Sequence, residues 1–137
     1  MFEMNLTPSY SDADPSRHIN GATYPRWFEK ARNPICRFFI PDLEPSRWNL
    51  ILRKIEIDMV AECYFNYEVT IRSFIESIGR TSFVVDQEAW QNGKMVARGK
   101  CVIVHFDLGR KTKLEIPEPI RRNLEQHLRP SFPAPVE

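Results

Sequence analysis

A chain of 137 residues suits one domain around one core. A formal charge of +1, with 42% hydrophobic and 27% charged residues, excludes a highly charged disordered chain and a global field drawing it to nucleic acid or membrane. The sequence has no apolar run near the roughly 20 residues of a membrane span and no basic-then-apolar leader; no membrane insertion and a cytoplasmic location are expected.

Cys36, Cys63 and Cys101 are far apart and form neither a C-x-x-C pair nor a Cys/His zinc spacing. They read as reduced, buried thiols, and no metal site is expected.

Phe2, Met4 and Leu6 alternate with Glu3 and Asn5, which predicts a first strand over Phe2 to Thr7. A polar loop from Pro8 to Ile19 follows. Then Tyr24, Trp27, Phe28, Ala31, Ile35, Phe38 and Phe39 recur at spacings of three and four, the mark of a long helix with one wide aromatic face. Asn20 suits its N-cap and Pro25 its first turn. Pro34 lies inside the apolar register, so a kink or short break after Arg32 is expected. Pro41 and Pro45 close the element.

From Trp48 the period falls to two. Ile55, Ile57 and Met59 alternate with Lys54, Glu56 and Asp58; Tyr67, Val69 and Ile71 with Glu68, Thr70 and Arg72; Phe83, Val85 and Ala89 with Asp86 and Glu88. Met95 to Val104 forms the last run. Asn92-Gly93 is a strong hairpin signal because both residues tolerate positive φ, and Ile78-Gly79-Arg80 is a second turn. Pro117 and Glu118 open a short C-terminal helix ending near Leu128. Residues 1–129 are expected to form one α+β domain, and 130–137 a Pro-rich loose tail.

The densest polar stretch runs from Tyr10 to Gly21, directly before the aromatic helix. A helix start leaves backbone N–H groups unpaired and slightly positive. Gly21, Ala22 and Thr23 supply such donors, and Gly21 permits close approach of a substrate. Donors aimed at a carbonyl oxygen favour the oxyanion formed on attack, and an upstream carboxylate is placed to attack the carbonyl or activate water. The alternative role for Asp12 or Asp14 is capping of a turn.

The run Tyr10-Ser11-Asp12-Ala13-Asp14-Pro15, His18-Ile19-Asn20, Tyr24 and Trp27-Phe28-Glu29-Lys30-Ala31-Arg32 resembles the signature of hotdog proteins of the 4-hydroxybenzoyl-CoA thioesterase type. Arg80-Thr81-Ser82-Phe83, Gln87, Val102-Ile103-Val104 and Ile116-Pro117-Glu118 extend the resemblance over nearly the whole chain. It implies a hotdog fold, in which a long central helix is wrapped by a five-stranded antiparallel sheet. It implies hydrolysis of an acyl-CoA or acyl carrier protein thioester. Asp14 matches the catalytic carboxylate and Gly21 the N–H that polarises the thioester carbonyl. His18 and Asn20 match the loop-shaping H-x-N, and Tyr24 the face lining the acyl pocket. Coenzyme A belongs to the substrate, so no separate cofactor is implied. The assembly implied is a homodimer with sites at the interface, and in some members a tetramer.

Arg17 replaces the Gly that usually precedes the His, and Gly21 replaces the second Asn of the family's N-N pair. Arg17 could narrow the entrance, hold a substrate anion, or signal altered or lost activity. Arg80, with Thr81 and Ser82 at a strand start, and the Arg110, Lys111, Lys113 cluster are candidate contacts for coenzyme A phosphates. Two other functions fit the same residues: an enoyl thioester hydratase using Asp14 and His18, and a non-catalytic acyl-thioester-binding or scaffold dimer.

Overall fold

A computed structural model describes residues 1–130. The expected Pro-rich tail lies outside the described residues from Ser131 onward. The strands are β1 (Phe2–Leu6), β2 (Leu50–Met59), β3 (Val69–Ile78), β4 (Ser82–Gln91), β5 (Lys94–Asp107) and the two-residue β6 (Thr112–Lys113). They form one sheet in the order β1-β3-β4-β5-β2, with β6 added to β5, and all strand pairs are antiparallel. The main path has the five strands expected. The extra strand follows a tight turn in which Lys111 takes φ 55°.

The predicted helix is segmented. A 3-10 turn (Gly21–Thr23) leads into α1 (Tyr24–Ala31), and α2 (Asn33–Cys36) follows after the break at Arg32. Pro34 cannot donate an amide hydrogen, which accounts for the interruption where the sequence placed it. Phe38 and Phe39 belong to looser turns beyond α2, bonded to the carbonyls of Ile35 and Cys36. The last helix, α3 (Glu118–Glu125), is shorter than expected.

The helical segments lie on one sheet face and bury the aromatic stripe there. Tyr24, Trp27, Phe28 and Ala31 pack with Val69, Ile71, Ala89 and Ala97; Ile35, Phe39 and Ile40 pack with Phe83, Val85 and Ile103. Phe28 needs Gly99: a Cβ there would stand 2.9 Å from the Phe28 ring. Gln87, 2% exposed, donates to the Phe28 carbonyl at 2.9 Å and the Ser73 hydroxyl at 3.0 Å, pinning α1 to the sheet. All three cysteines are buried and unpaired. This curled antiparallel sheet holding a helix is the hotdog arrangement.

Two edges differ from the alternation read in the sequence. Along β2, Leu52, Ile55 and Met59 are exposed, because this edge strand pairs only with β5 and no helix covers it. On the outer sheet face Asp86 is fully buried, paired with Arg98 at 2.9 Å and Arg129 at 2.8 Å. Arg129 also meets Glu88 at 3.1 Å. Its backbone N–H donates to the Ile75 carbonyl, and the Ile75 N–H donates to the His127 carbonyl, each at 2.8 Å. The segment after α3 thus extends the edge of β3 beyond the point where β1 pairs.

Candidate active site

The loop before the 3-10 turn folds on its own polar groups. Asp12 is 6% exposed and structural. Its carboxylate accepts from the Ser9 N–H at 2.8 Å and pairs with Arg26 at 2.9 Å; its carbonyl accepts from the Asn20 N–H at 2.8 Å. Asp12 thus caps the Ser9 turn with its whole carboxylate engaged.

Asp14 is arranged differently. Its Oδ1 accepts from the Ser16 N–H at 2.9 Å, the Ser16 hydroxyl and the His18 N–H at 3.2 Å. No donor among the described residues reaches Oδ2. The Ser16 hydroxyl, ahead of smaller backbone contributions from Ser16 and His18, holds the Asp14 carboxyl below the usual carboxylate range. Asp14 lines a cleft of about 680 Å³ with Tyr10, Ala13, Pro15, Arg17 and Phe65. Tyr10 is 85% exposed and stands edge-on to Phe65.

Arg17 has φ 66°, a left-handed conformation that glycine adopts at no steric cost. That explains why Gly suits the position in the resembling family. The turn closes through the Arg17 N–H to the Asp14 carbonyl and the Asp14 N–H to the His18 carbonyl, at 2.9 and 2.8 Å.

His18 Nδ1 lies 3.1 Å from the Ser16 hydroxyl oxygen and Nε2 3.9 Å from Glu62. The Ser16 proton is committed to Asp14, so Nδ1 carries the hydrogen toward Ser16. Tyr64 packs edge-on against the imidazole and donates its hydroxyl to Glu62 at 2.7 Å. Ser16, Glu62 and Tyr64 were not singled out from sequence. Ser16 could have been, since a serine two residues after an aspartate often closes an Asx-type turn. Glu62 and Tyr64 reach the loop through the Ile19 N–H bond to the Cys63 carbonyl, at 2.7 Å, which no spacing encodes.

At the helix start, Asn20 Oδ1 accepts from the Ala22 N–H at 3.0 Å, the expected N-cap. The Gly21 N–H has no acceptor among the described residues. Met59 covers this glycine, since a Cβ there would sit 2.6 Å from the Met59 sulfur. Gly21 and Ala22 do not line the Asp14 cleft within one chain. Tyr24 is 2% exposed in the core, where burial, ahead of the Cys63 thiol, raises its hydroxyl pKa.

The proposed phosphate contacts lie elsewhere. Arg80, Thr81 and Ser82 lead into β4; Arg110 and Lys111 turn between β5 and β6. Ser82 pairs with Val104 on β5, whereas Met59, beside Gly21, pairs with Ala97. That span of β5 is roughly 23 Å, so a single chain does not bring these cations to Asp14. Among the described residues, no three His, Cys, Asp or Glu side chains converge as metal ligands, and no helix is long and apolar enough to cross a membrane.

Comparison with known proteins supplies the family. A predicted thioesterase from Bacillus stearothermophilus is 37% identical, with a TM-score of 0.92 covering 96% of this chain and 98% of that one. A thioesterase from Thermus thermophilus, complexed with coenzyme A and Zn, is 26% identical, with a TM-score of 0.80 over 95% and 96% of the two chains. A 1,4-dihydroxy-2-naphthoyl-CoA thioesterase from Synechocystis shares the fold at 18% identity, with a TM-score of 0.77 over 90% and 94%. Comparison with curated proteins gives no significant match. The model of the thioesterase-like superfamily matches residues 9–124, a span that includes the Asp14 loop, the helix and strands β2 to β6; the chain belongs to this superfamily and is a protein of the thioesterase class.

Proposed function

We propose that the protein hydrolyses an acyl-CoA or acyl carrier protein thioester to a free acid and a thiol, in the manner of the 4-hydroxybenzoyl-CoA thioesterase type. The observation that carries this reading is the asymmetry of Asp14: three donors hold Oδ1, and Oδ2 has none. In the general-base route Oδ2 takes a proton from water as the water oxygen attacks the thioester carbon. The C–S bond then breaks and the departing sulfur takes up a proton. In the nucleophilic route Oδ2 attacks the carbon, the C–S bond breaks and the sulfur leaves with a proton as the free thiol, and water then cleaves the resulting anhydride to the free acid and the Asp14 carboxylate. Either route places negative charge on the carbonyl oxygen; the Gly21 N–H, which lies outside the one-chain Asp14 cleft, is the donor proposed for it, a contact worth about 3 kcal/mol. His18 and Asn20 hold the loop and the helix cap. Coenzyme A enters as substrate, no further cofactor is required, and the proposed setting is the cytoplasm, where buried thiols stay reduced.

The proposed assembly is a homodimer, with a tetramer as the larger alternative. Exposed Leu52, Ile55 and Met59 on the β2 edge favour closure there by a second copy. A partner is then what would carry Arg80, Arg110 and Lys111 toward another chain's Asp14. The competing reading, a non-catalytic acyl-thioester-binding dimer, is favoured by Arg17 on the cleft wall. Thiol release from short, medium, long and aromatic acyl thioesters decides between them: turnover supports hydrolysis, and binding without thiol release supports the competitor.

Ser16→Ala provides a finer check on Asp14. Loss of the hydroxyl donor lets the Asp14 pKa rise toward its ordinary value. A base works in its ionised form, so activity falls as pH drops through that pKa. The acid limb of the pH–rate profile should move to higher pH in Ser16→Ala and return in Ser16→Thr. An unmoved limb would mean that this hydrogen bond does not tune the reacting group.

A further inference from the structure

Asp14 and Arg17 carry opposite charges on the wall of one cleft, yet they do not meet. Among the described residues Arg17 forms no ion pair within 4.0 Å, with Asp14 or any other acid. It is the one cation among the described residues lining that cleft, whose other walls are Tyr10, Ala13, Pro15 and Phe65. The cleft therefore sets a carboxylate oxygen without a donor and a guanidinium without a counter-ion on opposite sides of an open space.

The backbone keeps this arrangement under strain. At φ 66° a side chain crowds the main chain, and arginine stands where glycine would be unstrained. The position is held from both sides. The Arg17 N–H donates to the Asp14 carbonyl at 2.9 Å, and the Arg17 carbonyl accepts from the Phe65 N–H at 3.2 Å. The preceding residue, Tyr64, is anchored by the buried Gln91 side chain, which accepts from its N–H at 2.8 Å and donates to its carbonyl at 2.7 Å. The loop is thus tied to the end of β4, and the Arg17 Cα has a set place relative to Asp14. Strain that the surroundings over-determine is found where a side chain has a task.

The chemistry supplies one. When water or Oδ2 attacks a thioester, a C–O bond forms and the carbonyl π pair moves onto oxygen; the pair returns as the C–S bond breaks. A donor is needed at that oxygen while the charge is there. The Gly21 N–H lies outside the one-chain cleft, and Arg17 lies within it. A guanidinium offers several N–H donors in a fixed fork and keeps its protons, so it stabilises an oxyanion without titrating.

We propose that Arg17 is a catalytic residue, a second oxyanion donor that binds the thioester carbonyl oxygen opposite Asp14. The proposal rests on the hydrolase reading. The non-catalytic reading gives the same residue the opposite effect, because there Arg17 obstructs turnover and its removal frees the cleft.

Arg17→Gly separates the two. It relieves the left-handed backbone, so Tm should stay at or above the native value. Meanwhile kcat should fall about 10²-fold, the usual cost of one oxyanion donor, with KM close to native. Arg17→Lys keeps the charge but loses the fork, and should recover part of kcat. Guanidinium ion added at millimolar concentration should raise kcat in Arg17→Gly and leave the native protein unchanged, a rescue that a structural role would not give. Turnover in Arg17→Gly at or above the native rate would overturn the proposal and leave the hydrolase reading standing. So would a raised KM at native kcat, which makes Arg17 a binding contact only, or a lowered Tm without rescue. Absence of thiol release from the native protein on every acyl thioester would overturn both, and a gain of turnover in Arg17→Gly would then identify Arg17 as the obstruction.

Discussion

Asp14→Asn should lower kcat for thioester hydrolysis by about 10²–10⁴-fold, the usual contribution of a positioned acid–base group. The substitution isolates chemistry from architecture. Its amide oxygen can still accept from the Ser16 and His18 N–H groups that hold Oδ1 in the native loop, while the oxygen proposed to take the proton becomes an NH₂ group with no basic lone pair. Asp14→Ala is less informative, because it also strips the loop of its acceptor. The measurement pairs thiol release with thermal unfolding: Tm within a few degrees of the native value, together with the loss of kcat, assigns the effect to the reaction. Full turnover in Asp14→Asn would remove this residue from the mechanism.

Phe28→Ala should cost about 3–5 kcal/mol of folding stability, read as a lower midpoint in urea with an unchanged slope. Phe28 is 1% exposed and sits where α1 comes nearest to the sheet. Its ring rests on Gly99, stacks 6.2 Å from Tyr24, and its carbonyl is held by Gln87. A cavity at this point has little around it able to collapse, since Gly99 has no side chain and Gln87 is committed to three partners. Gly99→Val probes the same contact from the other side. It should destabilise by about 1–3 kcal/mol through overpacking, and the two substitutions together should not be additive.

Much of this architecture is legible in the chain because local chemistry dictates it. Pro34 has no amide hydrogen, and the helix breaks beside it. Asn92 and Gly93 adopt φ 52° and 76°, and the β4–β5 hairpin turns there. Alternation located the strands to within a few residues. It did not reveal that the apolar side of β2 stays uncovered, because alternation marks a face without naming its occupant. Nor did it show that Asp86 is buried, since that depends on Arg129 arriving from the far end of the chain. In the candidate site, pattern alone marked a carboxylate-bearing loop and the Asn20 cap before the helix, and the resemblance singled out Asp14 and His18. The different surroundings of Asp12 and Asp14 were not legible in local pattern: they follow from Arg26 reaching from the first turn of α1 to Asp12 and from a loop that closes on itself. The Glu62–Tyr64 pair was invisible for the same reason, as were the positions of Arg80, Arg110 and Lys111 across the sheet.

The strand-like segment after α3 has a practical corollary. His127 and Arg129 bond the N–H and carbonyl of Ile75, on the β3 margin beyond β1, and Arg129 supplies one of the two cations facing the buried Asp86. Deleting everything past Gln126 would bare the Ile75 amide and carbonyl on the β3 margin and leave one fewer guanidinium to balance a carboxylate closed off from water. Such a shortened protein should associate through that raw margin and precipitate, so expression vectors and fusion partners are best designed to begin after Arg129.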